Sequence, residues 1–288
     1  MIRCERWQVK TGDEPIYSTA IVARFSNGQR VFIYQSWDWY LYVTSFDNQC
    51  VKLRAGTGEL IWKFSSLEQN EPFPLVVDID GDGKLECLFN SIDEHVYCLD
   101  AETGKLKWKN HARFGIDCFG SYADMDDDGL LEYAINGRGG RTLYIDGATG
   151  ATKYQSTAWS VWATSETNSR ATVFDCEPGK KAVVFGGLAG FVYCLDGQAN
   201  THWRTYLAAN MRGSTTVLDI NSDGKDEILV PDMMGTLTIL NQHGKEIGQI
   251  HVKGGIEGTP LAGDLDGDGK TEVLLTSLDG YVSLIRFI

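Results

Sequence analysis

Residues 74–108 decide the fold, and they read Pro-Leu-Val-Val-Asp-Ile-Asp-Gly-Asp-Gly-Lys-Leu-Glu-Cys-Leu-Phe-Asn-Ser-Ile-Asp-Glu-His-Val-Tyr-Cys-Leu-Asp-Ala-Glu-Thr-Gly-Lys-Leu-Lys-Trp. Short runs of aliphatic, β-branched and aromatic residues alternate here with turns rich in Gly and Asp. Such alternation is typical of antiparallel strands joined by hairpins. A helical period of 3.6 residues is absent, so the stretch predicts a four-stranded meander.

The same frame returns along the chain. A degenerate copy places its first position at Ala23, within the hairpin expected over residues 21–31. The other loops follow one another at spacings of 46, 51, 44 and 45 residues, and they begin at Asp78, Asp124, Asp175, Asp219 and Asp264. Repeats of this length that each contain four short strands are typical of propeller blades.

The residue count predicts a closed ring. Since 24 residues follow Asp264 and 23 run from Met1 to Ala23, the repeat that passes through the termini is 47 residues long. We expect an all-β fold, a six-bladed β-propeller of four-stranded antiparallel blades, forming a single domain over residues 1–288. The N-terminal strand, residues 3–10, would complete the last blade and remove two exposed sheet edges. Trp7 would then take the position that the other repeats give to Trp62, Trp108, Tyr154 and Trp203.

Four of the acidic loops share one pattern, with Asp at positions 1 and 5, Asp or Asn at position 3, Gly at 6 and Glu at 9. Oxygen ligands around a sharp glycine turn suit calcium, whereas magnesium requires a nearly octahedral site. The EF-hand differs, because its last Glu stands at position 12 and helices flank it. The predicted calcium ligands are Asp78, Asp80, Asp82, Glu86, Asp124, Asp126, Asp128, Glu132, Asp219, Asn221, Asp223, Glu227, Asp264, Asp266, Asp268 and Glu272.

The distribution of charge supports this prediction. The chain has 26 Lys and Arg and 39 Asp and Glu, a net charge of −13. Fifteen of the acids stand at the ligand positions, and removing them would leave 24 acids against 26 basic residues. Carboxylates crowded into one hairpin repel each other unless a cation lies between them. Asp and Gly also form ion-free turns, but four loops in one register favour the metal.

Composition also limits location and partners. The net charge and the lack of a Lys/Arg run exclude a surface made for nucleic acid, and no apolar stretch is long enough for membrane insertion. The N-terminus lacks the apolar segment of a secretory signal. The seven cysteines are odd in number and contain no Cys-x-x-Cys pair, which indicates reduced core thiols. We expect a cytoplasmic location, although calcium loops would also suit an extracellular setting.

Two propeller families resemble this sequence. The acidic loops are similar to the calcium hairpins of FG-GAP repeats, as in the propeller head of integrin α chains. Residues 96–108 and residues 53–62, which end in Thr-Gly-Lys-Leu-Lys-Trp and Thr-Gly-Glu-Leu-Ile-Trp, resemble the tryptophan-docking repeat of pyrroloquinoline-quinone-type (PQQ-like) propellers. The resemblance implies the fold and calcium, but these families include adhesins, lectins, scaffolds and enzymes. The chain lacks the adjacent-cysteine pair of the quinone enzymes.

The partner surface is expected on the face opposite the calcium loops, which carries the second-to-third turns and the blade connections. Aromatic residues outside the docking position are candidates for this surface, and they are Trp37, Trp39, Tyr40, Trp159 and Trp162. No motif of a catalytic nucleophile or zinc protease occurs, so we do not expect an enzyme. The sequence predicts a calcium-stabilised propeller that acts as a protein-binding or scaffold module. The alternatives are a glycan-binding, lectin-like propeller and a six-bladed calcium-dependent hydrolase.

Overall fold

A computed structural model describes residues 21–24, 30–33, 49–54, 60–68, 70, 74–116, 118, 120–156, 169–221, 223–264 and 270–287. These residues form 23 strands, one short 3-10 turn at Arg138–Gly140 and no α-helix. None of their helical segments is long and apolar enough to cross a membrane. The prediction of an all-β fold is confirmed.

The strands form antiparallel sheets in which neighbours in sequence are neighbours in space. The first sheet contains β1 (Ile21–Arg24), β2 (Arg30–Ile33), β3 (Gln49–Arg54) and β4 (Leu60–Ser65). The second contains β5 (Leu75–Val77), β6 (Glu86–Asn90), β7 (His95–Asp100) and β8 (Leu106–His111). The third contains β9 (Ser121–Ala123), β10 (Glu132–Gly137), β11 (Arg141–Asp146) and β12 (Thr152–Gln155).

The remaining sheets repeat this order. The fourth contains β13 (Thr172–Glu177), β14 (Lys180–Gly186), β15 (Phe191–Asp196) and β16 (Thr201–Tyr206). The fifth contains β17 (Thr216–Leu218), β18 (Glu227–Pro231), β19 (Thr236–Asn241) and β20 (Glu246–His251). The sixth has three strands within the described part of the chain, β21 (Leu261–Gly263), β22 (Glu272–Thr276) and β23 (Val282–Arg286).

The chain divides into two compact units. One is Met1–Phe119 with Gly147–Ala151, and the other is Gly120–Asp146 with Thr152–Ile288. The first unit holds the first two sheets, and the second unit holds the strands of the other four. The single domain over residues 1–288 stays a prediction.

The core lies on the second and third strands of the sheets. Every residue of β6, β10 and β18 is buried, as are the four central residues of β7, β11, β15 and β19. The first strands β5 and β17 are less buried, since all their residues are only partly covered. These first strands lie at the edges of their sheets, where fewer neighbours cover them. The described cysteines are buried free thiols, which confirms the expected core role.

A tryptophan contact recurs in both units. In the first, the indole N–H of Trp62 donates to the carbonyl of Ala101 at 3.2 Å, and that of Trp108 to Gly147 at 2.8 Å. In the second, Trp203 donates to the Gln242 carbonyl at 2.9 Å. In each case the acceptor lies 39 residues along the chain. The predicted docking role of these three tryptophans is confirmed.

Glycine makes the contact possible. The indole lies over Gly104, Gly150 or Gly244, where a Cβ atom would overlap the ring. Tyr154 differs from the three tryptophans, since its hydroxyl donates to Asp126 of its own sheet at 2.8 Å. In the third sheet the contact with the next sheet comes from Tyr144 instead. Its hydroxyl donates to the carbonyl of Asp196, in the turn of the fourth sheet, at 2.9 Å.

Gly244→Ala tests the contact. Gly244 and Gly179 both have positive φ, +74° and +75°, but a Cβ at Gly179 would meet nothing within 4 Å. Gly179→Ala should therefore lower the free energy of unfolding by about 1 kcal/mol through φ alone. Gly244→Ala should lower it by roughly 3 kcal/mol, because overlap with Trp203 adds to the strain. Urea unfolding of both variants makes the comparison, and equal losses would contradict the docking account.

Candidate functional site

The three acidic loops that the structure describes fold in the same way. In each, the glycine at position 6 donates its N–H to Oδ2 of the aspartate at position 1. The donors Gly83, Gly129 and Gly224 reach this oxygen at 2.9, 2.9 and 2.8 Å. The N–H of position 7 also reaches the aspartate at position 5, at 2.8 to 2.9 Å. The loops are therefore closed hairpins whose carboxylates are held by their own backbone.

The glutamate at position 9 begins the second strand and is buried in all four sheets that carry the pattern, as Glu86, Glu132, Glu227 and Glu272. Its Oε2 accepts the N–H of loop position 2, from Ile79, Met125 or Ile220, at 3.1, 2.8 and 3.0 Å. A buried carboxylate is unfavourable unless its second oxygen is compensated as well.

The first two loops have the donor set of a hard-cation site. Asp78, Asp80 and Glu86 bring carboxylate oxygens within 4.8 Å of one another, and the equivalent residues of the second loop do the same. Oδ1 of Asp78 is buried and has no hydrogen-bond partner among the described residues. In the second and third loops this oxygen accepts the N–H of position 5 at 3.1 Å. An all-oxygen cluster with a spare buried oxygen fits calcium. Residues 265–269 of the fourth loop lie outside the described part.

Lysine side chains reach into these clusters, which the sequence analysis did not predict. Lys107 donates to Asp80 and, at 2.8 Å, to Oε1 of Glu86. Lys153 donates to Oε1 of Glu132 at 2.9 Å and also to the aspartates at positions 3 and 5.

The other two glutamates have different donors for the same oxygen. The amide of Asn221 donates to Oε1 of Glu227 at 3.3 Å. The guanidinium of Arg286 donates to Oε1 of Glu272 at 3.0 Å. Each buried glutamate of the pattern thus has a protein donor at Oε1.

These ion pairs decide the charge states. Burial raises the pKa of Glu86 and Glu132 above the usual range, although the lysine hydrogen bonds oppose the shift. Burial also lowers the pKa of Lys107 and Lys153, but the carboxylates outweigh it and raise both above the usual value. The lysines therefore remain charged, and each acts as a cation inside its loop.

The fourth sheet lacks the pattern, as predicted. The carboxylate of Asp175 pairs with Lys181 at 2.6 Å, and that of Glu177 pairs with Lys180 at 2.7 Å. In the first sheet, Ala23 pairs with Val31 in the expected hairpin, whose turn lies outside the described residues.

A cleft of about 470 Å³ opens within the second unit. It is lined by the acidic loop of the third sheet, the first hairpin of the fourth sheet and the turn that precedes β16. An acidic loop and a third-to-fourth turn thus lie at the same end of this unit. The cleft is lined by charges of both signs, including Asp126, Lys180 and Asp196.

The opposite end of the second unit carries exposed apolar side chains. Met234 lies in the turn between β18 and β19, and Leu278 and Tyr281 lie in the turn between β22 and β23. Tyr206 ends β16 at the same end. These four side chains are 60% to 78% exposed, and we call them the turn surface.

Hydrogen bonds hold the turn surface in place. The N–H of Met233 donates to the Asn210 carbonyl, and the N–H of Leu278 donates to that of Gly255, both at 2.9 Å. Each turn is thereby fixed to the connection that enters a sheet. The sequence predicts a partner surface on the second-to-third turns but does not single out these four residues, since isolated apolar residues give no periodic signal.

The predicted partner residues Trp37, Trp39, Tyr40, Trp159 and Trp162 lie outside the described residues. Trp7 and residues 3–10 also lie outside them. Elsewhere in the second unit, Arg212 and Glu257 form an exposed ion pair at 3.5 Å.

Two family models match parts of the chain. The model for the outer membrane protein assembly factor BamB, a family of PQQ-like repeats, matches residues 5–117. The model for the lambda-carrageenase β-propeller domain matches residues 182–254. No curated protein matches the sequence significantly.

Solved structures of low identity share the fold. BamB from Moraxella catarrhalis is 19% identical with a TM-score of 0.50, and the match covers 92% of this chain and 82% of BamB. Sqt1 from Saccharomyces cerevisiae is 13% identical with a TM-score of 0.68, covering 90% and 69%. BBS1N, in complex with ARL6DN, is 12% identical with a TM-score of 0.66, covering 96% and 81%. The chain therefore has a PQQ-like propeller fold, as its docking tryptophans predict.

Proposed function

We propose that this chain is a protein-binding scaffold, a six-bladed calcium-stabilised propeller that takes its partner on the turn surface. The observation that carries this proposal is the exposure of Met234, Leu278 and Tyr281 on turns fixed by hydrogen bonds, with Tyr206 exposed at the end of β16. Large apolar and aromatic side chains on a rigid support are typical of protein hot spots. BBS1N, which shares the fold, is itself bound to a protein partner.

The same residues favour a protein over a glycan or a reaction. Protein partners bury apolar side chains such as Met234 and Leu278, whereas catalysis needs converging titratable groups. Unlike the two tyrosines of the surface, Leu278 and Met234 have no ring that could stack on a sugar, so their exposure favours a protein partner. Trp37, Trp39, Tyr40, Trp159 and Trp162, which lie outside the described residues, stay further candidates for contact with the partner.

Photocrosslinking tests the partner surface. A benzophenone amino acid at Met234 or Tyr281 should capture one and the same protein in cells. At Leu130, an exposed residue of an acidic loop in the same unit, it should capture none. Met234→Asp should weaken binding of that purified protein at least tenfold, because a charge would be buried in the contact. Equal capture from Leu130, or a glycan-array signal that Met234→Asp removes, would contradict the proposal.

We also propose that calcium occupies the acidic loops, as in the FG-GAP resemblance. The ligands would be the side chains at positions 1, 3, 5 and 9 of the four loops. The carboxylate clusters and the unpartnered Oδ1 of Asp78 support this proposal. The bound ion would supply positive charge beside the buried glutamates and stabilise the hairpins.

Calcium removal tests this role. A ligand at a hundredfold excess over its Kd stabilises the folded state by about 2.7 kcal/mol per site. Calcium should therefore raise the unfolding temperature by several degrees, and a chelator should reverse the shift. Asp223→Ala should lose part of the shift, while Asp226→Ala, which changes the neighbouring acid outside the ligand positions, should keep it. An unfolding temperature that calcium does not change would contradict the proposal.

We further propose that residues 3–10 add the fourth strand to the sixth sheet and close the ring. The outer side of β23 supports this, since its residues alternate between exposed and partly buried, while the third strands of the second to fifth sheets are buried at their centres. Val282 and Leu284 are 65% and 57% exposed. A strand laid along β23 would cover them.

A disulfide crosslink tests closure. By the register of β7 with β8, Trp7 would stand opposite Leu284 and Val9 opposite Val282. Val9→Cys with Val282→Cys should therefore form a disulfide under mild oxidation. Val9→Cys with Leu261→Cys should not, because β21 is the other edge of this sheet and is similarly exposed. Crosslinking of both pairs, or of the Leu261 pair alone, would contradict closure.

A further inference from the structure

The two lysine contacts occupy the place of a cation. Lys107 bonds to Asp80 and Glu86, two of the three carboxylates of the first cluster. Lys153 bonds to Asp126 and Glu132 of the second cluster and to Asp128. An ammonium group that donates to the oxygens that a metal would share is a direct competitor for them.

A β-bulge directs both lysines to the loops. In the second sheet the register shifts between Cys98 and Leu99, so that Lys107 is the extra residue between the paired Leu106 and Trp108. A bulge changes the direction of a side chain. Here Trp108 points to the docking turn, and Lys107, the residue before it, points to the acidic loop of its own sheet.

The same bulge identifies the equivalent residue of the other sheets. The third sheet shifts between Tyr144 and Ile145, which places Lys153 at the bulge. The fifth shifts between Ile239 and Leu240, which places Ile247 there. The loop at residues 219–227 therefore has no basic side chain at this position. Its Glu227 instead receives the neutral amide of Asn221.

We propose that Lys107 and Lys153 are internal counter-ions that compete with the divalent cation, so that the loop at residues 219–227 binds it more tightly than the two loops that these lysines enter. This inference rests on the proposed calcium role. By acid count alone the order would be the reverse, since the second loop has four carboxylates at its ligand positions and the third has three. Two or three charge-assisted hydrogen bonds of the lysine must break before a metal can bind to the same oxygens. Ile247 has no charge and does not compete with a metal.

The two lysine loops are also stable without metal. Oε1 of their buried glutamates keeps a positive partner when calcium is absent, while Oε1 of Glu227 has the neutral amide of Asn221. Among the three described loops, the third loop is therefore the one whose stability depends most on calcium. The bulge residue sets which hairpins need the ion.

Exchange of the bulge residues tests the proposal. Lys153→Met removes the ammonium at similar length and should create a calcium site at least about tenfold tighter at the second loop. It should also lower the unfolding temperature in chelator. Ile247→Lys should weaken the third-loop site by a similar factor and leave the protein less dependent on calcium. Ile247→Met is the matched control and should change neither. Calcium titration calorimetry and thermal unfolding with and without chelator provide both measurements.

The outcomes separate the two proposals. If the wild type binds calcium and both charge variants bind it with unchanged affinity, the competition is wrong and the calcium role stands. If neither the wild type nor Lys153→Met binds calcium, the calcium role is wrong, and the competition falls with it. Should Lys153→Met fail to fold, Ile247→Lys decides, because unchanged affinity in that variant overturns the proposal.

Discussion

The structure depends on compensating buried carboxylates. Four second strands begin with a glutamate that is almost completely excluded from solvent, and a charge in that position is unfavourable unless donors or cations surround it. One oxygen accepts a loop N–H, which ties the hairpin to the strand. The other accepts a lysine, an arginine or an asparagine, according to the sheet. The acidic loop is therefore part of the fold itself, because its ninth residue belongs to the core.

Contacts of the docking tryptophans are the second constraint on the fold, beside the buried glutamates. Each indole lies over a glycine and donates to a carbonyl 39 residues further on, so the third-to-fourth turn of one repeat receives the fourth strand of the previous one. In the second sheet the β-bulge links the two constraints, since the adjacent residues Lys107 and Trp108 contact the acidic loop and the docking turn. In the second unit, the contacts between an acidic loop and a third-to-fourth turn lie at one end. The other end carries the exposed side chains of Met234, Leu278 and Tyr281.

Much of this could be predicted from spacing. The acidic loops fixed the repeat, and the Thr-Gly turns followed by tryptophan predicted the docking contacts, because these features recur at a constant period. The lysines were missed since a residue next to a tryptophan has no defined direction until the bulge is known. The position before the docking residue holds Lys107, Lys153, His202 and Ile247 in successive repeats. The two lysines stand in repeats with acidic loops, and this is the signal that could have identified them. Tyr144 was missed because it replaces a docking residue from a different strand.

We conclude that every buried glutamate of the pattern has a cation or an amide beside its Oε1 atom. A crystal structure at high resolution, with anomalous data collected on crystals grown in calcium, tests it most directly. The account predicts an anomalous peak beside Glu227 and either a peak or the ammonium of Lys153 beside Glu132. If Oε1 of Glu132 contacted only water in an unchanged fold, this conclusion would be contradicted.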